Sequence, residues 1–241
     1  MRTPVLILLF LLTVSIAFGQ TISADSLSTR DGIAYMKGDT VPYTGTVVTK
    51  NEIGTKESTV EYKQGVPNGV LVSWYLNGSK QVEGELHGKT QSGIWKAWYD
   101  NGKLKRVGAY VDGMEEGAFT WYYEDGKKSK EGSFHDGAET GLWSWYHENG
   151  QLMQQGELKG DSSEGIWKEW YLDGKSKMVG VFLNGKKHGT WTWWDANGEQ
   201  STKTYSAGSI TQASDSMDLF VERTNEFMKK RDLKGALSSV Q

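Results

Sequence analysis

The sequence predicts an all-β repeat protein, an elongated antiparallel sheet of about seven stacked β-hairpins with a short C-terminal α-helical cap. Blocks of 24 residues each begin with a glycine and carry a second glycine nine positions later; they start at Gly69, Gly93, Gly117, Gly141, Gly165 and Gly189. Each second glycine follows Asn or Asp, a pair that favours tight hairpin turns. A fixed period of this kind is typical of stacked repeats in which each unit contacts its neighbours.

Each block therefore reads as one hairpin. We expect its Asn-Gly or Asp-Gly turn to be of type I′, with positive φ at both central residues. A third glycine recurs in five blocks, at Gly84, Gly108, Gly132, Gly156 and Gly180. Because glycine inside a strand usually marks a bulge or a close approach of another group, we expect a large aromatic ring from across the ladder to lie against it.

The two ends of the array differ from its middle. A degenerate seventh block, without tryptophan, begins at Gly45. After about Ala213 glycine nearly vanishes and apolar residues recur at helical spacing, which predicts helices that cover the open edge of the last hairpin; a separate partner-binding helix is the alternative. The predicted divisions are a signal peptide over 1–19, a linker over 20–32, the hairpin array over 33–210 and a helical segment over 211–241.

The first residues resemble an export signal. Arg2 supplies the positive charge, the stretch 5–14 is apolar, and 17–19 offers small residues for cleavage. We expect an exported protein, in the periplasm, on the cell surface or outside the cell, with no integral membrane span after cleavage because a span needs about 20 apolar residues. A retained anchor is the alternative. The chain has no cysteine, which excludes disulfides.

Composition and spacing point away from several function classes. The formal charge of −3 gives no reason to expect nucleic-acid binding. His87 and His135 occupy equivalent places two blocks apart, about 19 Å along a sheet, so they cannot share one metal ion. The stretch 84–90 is one residue short of a phosphate-binding loop and lies between hairpins. We therefore expect no catalytic residue, no metal and no cofactor, and the chain is predicted not to be an enzyme.

The aromatic residues form two sets. One occupies the third position of the blocks and is expected to build the core; this structural row is Trp95, Phe119, Trp143, Trp167 and Trp191. The candidate partner-binding set is Trp74, Trp98, Trp121, Trp145, Trp170 and Trp193. Its members stand at either the fifth or the sixth block position, and neighbouring strand residues point to opposite faces. Both faces should carry rings, and exposed rings suit a protein partner or a stacked sugar.

One block displays a family pattern most fully. Its defining residues are Gly93, Trp95, Trp98, Tyr99, Asn101, Gly102, Gly108, Tyr110 and Gly113. Over residues 33–208 this pattern resembles the MORN repeat variants of bacterial YwqK-like antitoxin proteins. The resemblance implies stacked MORN-type hairpins without catalytic residues, and the antitoxin label implies binding and neutralisation of a cognate toxin.

Two function hypotheses follow. The first is an exported, non-enzymatic scaffold that binds a partner protein, for example a toxin, through an aromatic sheet face. The second is a cell-envelope carbohydrate-binding protein that uses the tryptophan rows on cell-wall glycan.

Overall fold

The computed structural model describes residues 20–213. The strands are β1 (Gln20–Ser23), β2 (Leu27–Arg30), β3 (Ile33–Met36), β4 (Gly45–Lys50), β5 (Lys56–Lys63), β6 (Val66–Trp74), β7 (Lys80–His87), β8 (Thr90–Trp98), β9 (Leu104–Val111), β10 (Met114–Tyr122), β11 (Lys128–His135), β12 (Ala138–Tyr146), β13 (Leu152–Lys159), β14 (Ser162–Trp170), β15 (Ser176–Leu183), β16 (Lys186–Trp194), β17 (Gln200–Ser206) and β18 (Ser209–Ala213). A 3-10 turn covers Ala24–Ser26. From β4 to β18 the strands form one antiparallel sheet in sequence order, to which β1 is added beside β4.

The predicted stack of hairpins is confirmed. Each block supplies two adjacent strands, from the pair β4–β5 of the degenerate first block to β16–β17 of the last. The predicted signal peptide lies outside the described residues, as does the helical cap beyond Ala213. Over 20–213, no helix has the length and apolar character required to cross a membrane.

The N-terminal end has more structure than the predicted linker. Strand β1 runs parallel to β4, and β2 pairs with β3 in a separate two-stranded sheet. The long sheet therefore takes up the hairpins at Gly45, whereas the predicted array started at residue 33. Ile22, Tyr43 and Val47 are buried together at this end. The Tyr43 hydroxyl donates to the Gln20 carbonyl, so a side chain as well as the strand pairing holds β1 against the array.

The within-block turns differ from the prediction. In the first full block, the Gly78 N–H donates to the Tyr75 carbonyl (2.9 Å), and Gly78 has φ of +83° while Asn77 keeps a negative φ. This is the arrangement of a type I turn followed by a G1 bulge, so the predicted type I′ turn is wrong here. The reason is local, because the Asn77 side-chain oxygen accepts the N–H of Ser79 (2.9 Å) and holds the asparagine in an Asx turn.

Turns with two positive φ values lie between the blocks instead. At Asp112 and Gly113, for example, φ is +49° and +83°. Turns of this kind join most hairpins to the next, and at Gly88-Lys89 the glycine alone has a positive φ.

The strand glycines receive aromatic rings, as predicted. Between β9 and β10 the register shifts, so that residues 117–119 face the single residue Gly108. This bulge brings the Phe119 ring onto Gly108, where a Cβ atom would overlap the ring. Trp95, Trp143, Trp167 and Trp191 cover the equivalent glycine of the preceding block in the same way.

Candidate functional site

The structural row lies on one face of the sheet, which we call the inner face. Trp143, Phe119 and Trp191 are at most 1% exposed, and the other two members of the row are also buried. A second row packs beside it, formed by Leu86, Tyr110, Phe134, Leu158 and Phe182. Phe134 and Phe182 make edge-to-face contacts with Trp143 and Trp191, with ring centroids 5.2 and 4.9 Å apart. A single-layer sheet thus builds a core from flat-lying rings.

The structure divides the six candidate tryptophans into two groups. Trp121, Trp145 and Trp193 stand two residues after a row ring, hence on the same inner face. Trp145 lies between Trp143 and Trp167, with ring centroids 6.0 and 5.7 Å away. Trp121 and Trp193 make similar contacts with row rings at 5.7–5.9 Å. These half-buried rings extend the core.

The other three, Trp74, Trp98 and Trp170, stand one residue later in their blocks. Their neighbours at the inner position are small or polar: Ser73, Ala97 and Glu169. These blocks lack a large ring at the fifth position, and at the hairpin-tip end of the sheet a recess lies beside each of the three tryptophans. We call these the tryptophan recesses.

The three recesses are similar in size and lining. The first, of about 220 Å³, is lined by Asn51, Lys56, Glu57, Trp74, Tyr75, Leu76 and Gln81. The second, of about 310 Å³, is lined by Tyr75, Gln81, Val82, Ala97, Trp98, Lys105, Arg106 and Trp121. The third, of about 280 Å³, is lined by Lys168, Glu169, Trp170, Ser176, Met178, Val179 and Trp194. Each combines aromatic surface with charged groups, and the first two also include side-chain amides.

Sequence reasoning missed three aromatic residues in this part of the molecule. Tyr122, Tyr146 and Trp194 occupy the same sixth position as Trp98, so every full block has a ring there. The signal was available in the 24-residue alignment, because the sixth position is aromatic in every full block, whereas the candidate set combined residues from the fifth and the sixth positions.

A hydrogen-bond ladder fixes the hairpin tips to one another. The Tyr75 hydroxyl donates to the Trp98 carbonyl (2.8 Å), and Tyr99 repeats the contact with Tyr122 (2.7 Å) one block later. Tyr123 and Tyr171 continue it, and His147 places a ring nitrogen 3.0 Å from the Trp170 carbonyl. Burial raises the pKa of the Tyr99 and Tyr123 hydroxyls, so both remain protonated donors.

Lysines cover parts of the inner rings. The Lys130 ammonium lies 4.9 Å from the Trp121 ring centroid and 4.2 Å from that of Trp143, and it is paired with Glu139 at 2.9 Å. Lys187 lies 4.3 Å from the Trp191 ring centroid. Lysines also approach two of the recess rings, with the Lys56 ammonium 3.7 Å from the Trp74 ring centroid and the Lys80 ammonium 5.1 Å from that of Trp98. A ligand would therefore have to displace or accommodate a cation on either aromatic surface.

One group among the described residues could hold a divalent cation. Glu116, His135 and Asp136 each offer one ligand atom, and these atoms lie within 4.8 Å of one another. Glu116 already accepts hydrogen bonds from the Asp136 N–H (3.0 Å) and, at 3.2 Å, contacts the His135 ring. Glu164 accepts the Asn184 N–H in the same way. A turn-capping role of the glutamate therefore accounts for the grouping.

Comparison with known proteins identifies the repeat type. Residues 91–112, 115–136 and 139–159 match the model of the MORN repeat variant. These segments coincide with the hairpins β8–β9, β10–β11 and β12–β13. A search of curated proteins found no match to the chain. The chain therefore carries MORN repeat variants, which here fold into consecutive hairpins of one long sheet.

Proposed function

We propose that the protein is an exported, non-enzymatic repeat scaffold that binds a partner protein through the tryptophan recesses. The observation that carries this proposal is the recurrence of a tryptophan-lined recess in the three blocks that lack a tryptophan at the fifth position. Recurrence at whole-block spacings along a stiff sheet suits a partner that presents several anchoring side chains in a line.

The size and chemistry of the recesses favour side-chain anchors. Volumes of about 220–310 Å³ fall at or below the lower end of small-molecule sites, which begin near ~300 Å³. Tryptophan and arginine dominate binding hot spots, and the second recess holds both Trp98 and Arg106. The first two recesses lie one block apart, about 9.6 Å along the sheet, and the third lies three blocks further, about 29 Å.

The rigidity of the tips supports the same proposal. The Tyr75 and Tyr171 hydroxyls tie neighbouring tips together at 2.8 and 2.7 Å. A site held in this way loses little conformational entropy when it binds, so more of the contact energy contributes to affinity. The resemblance to YwqK-like antitoxins makes a toxin protein the first partner to test.

The decisive experiment compares the effect of removing the sixth-position ring in two recess blocks with the effect of removing it in another block. The full chain, with a tag, is used to recover its partner from the native cell envelope, and the dissociation constant of the purified pair is then measured. Trp98→Ala with Trp170→Ala should weaken binding by a hundredfold or more, as expected when two hot-spot residues are lost. Tyr122→Ala is the matched control, because it removes the ring at the same block position in a block whose fifth residue is Trp121. Unchanged affinity in the double variant would overturn the proposal.

A second candidate function is carbohydrate binding, as in the alternative sequence hypothesis. The supporting observation is the first recess, where the Trp74 ring lies among amide and charged groups of Asn51, Gln81 and Lys56. Such a site can stack a sugar face and hydrogen-bond its hydroxyls. Titration with soluble cell-wall glycans should quench tryptophan fluorescence in the wild-type chain and less in Trp74→Ala. A flat titration would eliminate this candidate.

A further inference from the structure

The face opposite the core, which we call the outer face, carries an exposed aliphatic row. Its members stand at the second block position, one residue before each row ring. Val70, Ile94, Leu142 and Ile166 are 44%, 64%, 56% and 59% exposed. Isolated apolar residues are common on protein surfaces, but four exposed aliphatic side chains at one repeat position form a pattern typical of an interaction site.

Two parts of this row are near copies of each other. Residues 84–102 and 156–174 share Gly-Glu-Leu, Gly-Ile-Trp-Lys and Trp-Tyr at equivalent positions, three blocks apart. On the outer face this repeats a patch of three residues: Glu85, Ile94 and Lys96 in one copy, and Glu157, Ile166 and Lys168 in the other. Each patch thus combines an exposed isoleucine with both signs of charge.

One patch borders an open groove. The groove, of about 410 Å³, lies between Leu142 and Ile166, and Gln155, Glu157, Gly165 and Lys168 complete its lining. The glycine in the lining leaves room for an incoming side chain. Two blocks lie between the patches, and the row residue of the first is Ala118, whose small side chain leaves space opposite a larger neighbour.

We propose that the outer face is an interface between two copies of this chain, related by a two-fold axis close to Ala118. The two arrays run in opposite directions with their hairpin tips on the same side, and Ile94 of each copy enters the Leu142–Ile166 groove of the other. This contact is isologous, since the same two patches meet twice. Packed sheets keep their strands within about 30° of each other and stand ~10 Å apart, which allows such rows to interdigitate.

The charges agree with this arrangement. Strand pairing places Glu83 level with Lys96, and Gln155 level with Lys168. When Ile94 lies over strand β13 of the other copy, Lys168 comes opposite Glu83, and Lys96 lies beside Glu157. Each copy therefore offers lysine where its partner offers glutamate.

Single cysteines test the axis directly, because the natural chain has none. In the full chain, Ala118→Cys places the two thiols nearly opposite each other across the ~10 Å between the sheets. Thr190→Cys, at the equivalent position of the last block, leaves them about 50 Å apart. A short bis-maleimide should convert most of the first variant, and little of the second, into a dimer seen on denaturing gels.

A second comparison tests the apolar contact. In the Ala118→Cys background, Ile94→Ser should reduce cross-linking at least fivefold, whereas Leu76→Ser, at an exposed residue in a hairpin turn, should leave it unchanged. Equal cross-linking of the two cysteine variants, or none in a chain with wild-type circular dichroism, would overturn the proposal.

Discussion

Two kinds of block occur along this sheet, and they differ by a shift of one residue in the position of a tryptophan. In the central blocks that begin at Gly117 and Gly141, a tryptophan at the fifth position packs against the core row. In the blocks that begin at Gly93 and Gly165, Ala97 or Glu169 takes that position and the tryptophan stands one residue later. The same residue type fills the core in one case and lines a recess in the other.

This difference shows that a repeat array can use some of its blocks for stability and leave others available for binding. Trp143, in the central part, is completely buried and contacts Trp121, Trp145 and Phe134. Trp95 is 8% exposed and makes its ring contact with Tyr110. Each edge-to-face or offset contact contributes about 0.5–1.5 kcal/mol beyond burial. We therefore expect the central blocks to hold the sheet together while the recess blocks can accept substitutions and ligands.

The largest expected effect follows from removing a central row ring. Trp143→Ala should lower the free energy of unfolding by about 3–5 kcal/mol, because it deletes a fully buried side chain and leaves a cavity. Trp95→Ala should cost less, since that ring is partly exposed and has fewer ring contacts. Urea denaturation followed by circular dichroism measures both. Equal losses at the two sites would break the distinction between the blocks.

The glycine below the same ring gives the next largest effect. Gly132→Ala should destabilise the protein by about 1–3 kcal/mol, because the new Cβ would overlap the Trp143 ring and force it outward. The backbone of Gly132 does not have positive φ, so steric overlap rather than backbone strain is being measured. Gly117→Ala is the converse control, with φ of +75° and no atom within 4 Å of the new Cβ. The near-ultraviolet spectrum should change in Gly132→Ala alone.

These local features explain what the sequence could reveal. Hairpin number and the core row follow from the glycine spacing and strand alternation, both of which are local properties. The role of Trp145 was also within reach, because residues two apart in a strand share a face. It was missed when Trp145 and Trp98 were grouped by residue type.

Other features needed the structure. Pairing of β1 with β4 joins segments that short-range pattern gives no reason to connect. At Asn77 the side chain competes for a backbone N–H and changes the turn type, an outcome that the dipeptide alone does not specify. The recesses depend on which neighbouring blocks lack a ring at the fifth position, so they form only when several repeats are stacked.

Filling a recess should convert one kind of block into the other. Ala97→Trp introduces a ring at the fifth block position, the position that Trp121 has in the next block. The recess of about 310 Å³ beside Ala97 provides the space. We expect a gain in unfolding free energy of about 1 kcal/mol from the added ring contacts. Partner binding at Trp98 should fall at the same time, as measured by titration calorimetry. A folded variant that binds its partner as well as the wild type does would show that the recess does not contribute to binding.

A smaller effect is expected from the ladder of tip hydroxyls. Tyr123→Phe removes the hydrogen bond to the Tyr146 carbonyl and should cost about 1 kcal/mol. Tyr171→Phe, in a recess block, removes the equivalent bond to Trp194 and should cost about the same, since this feature is common to both kinds of block. Thermal unfolding of both variants tests this. A loss confined to Tyr123→Phe would mean that the ladder too differs between the blocks.

The smallest effect concerns the turn at Asp136, which follows strand β11 in the central block that begins at Gly117. Glu116 and Glu164 both accept an N–H of the following turn, but only Glu116 has a histidine beside it, where the recess block has Leu183. The Glu116 carboxylate accepts a hydrogen bond from the protonated His135 ring. This contact raises the pKa of His135 above its usual 6.5, and the charge of Asp136 adds to the effect. A raised histidine pKa stabilises the fold below the unfolded value and loses that contribution as the pH rises through the folded value. Proton NMR should therefore show His135 titrating above 6.5, and Glu116→Gln should lower its pKa. A histidine pKa unaffected by Glu116→Gln would show that the contact is not formed in solution.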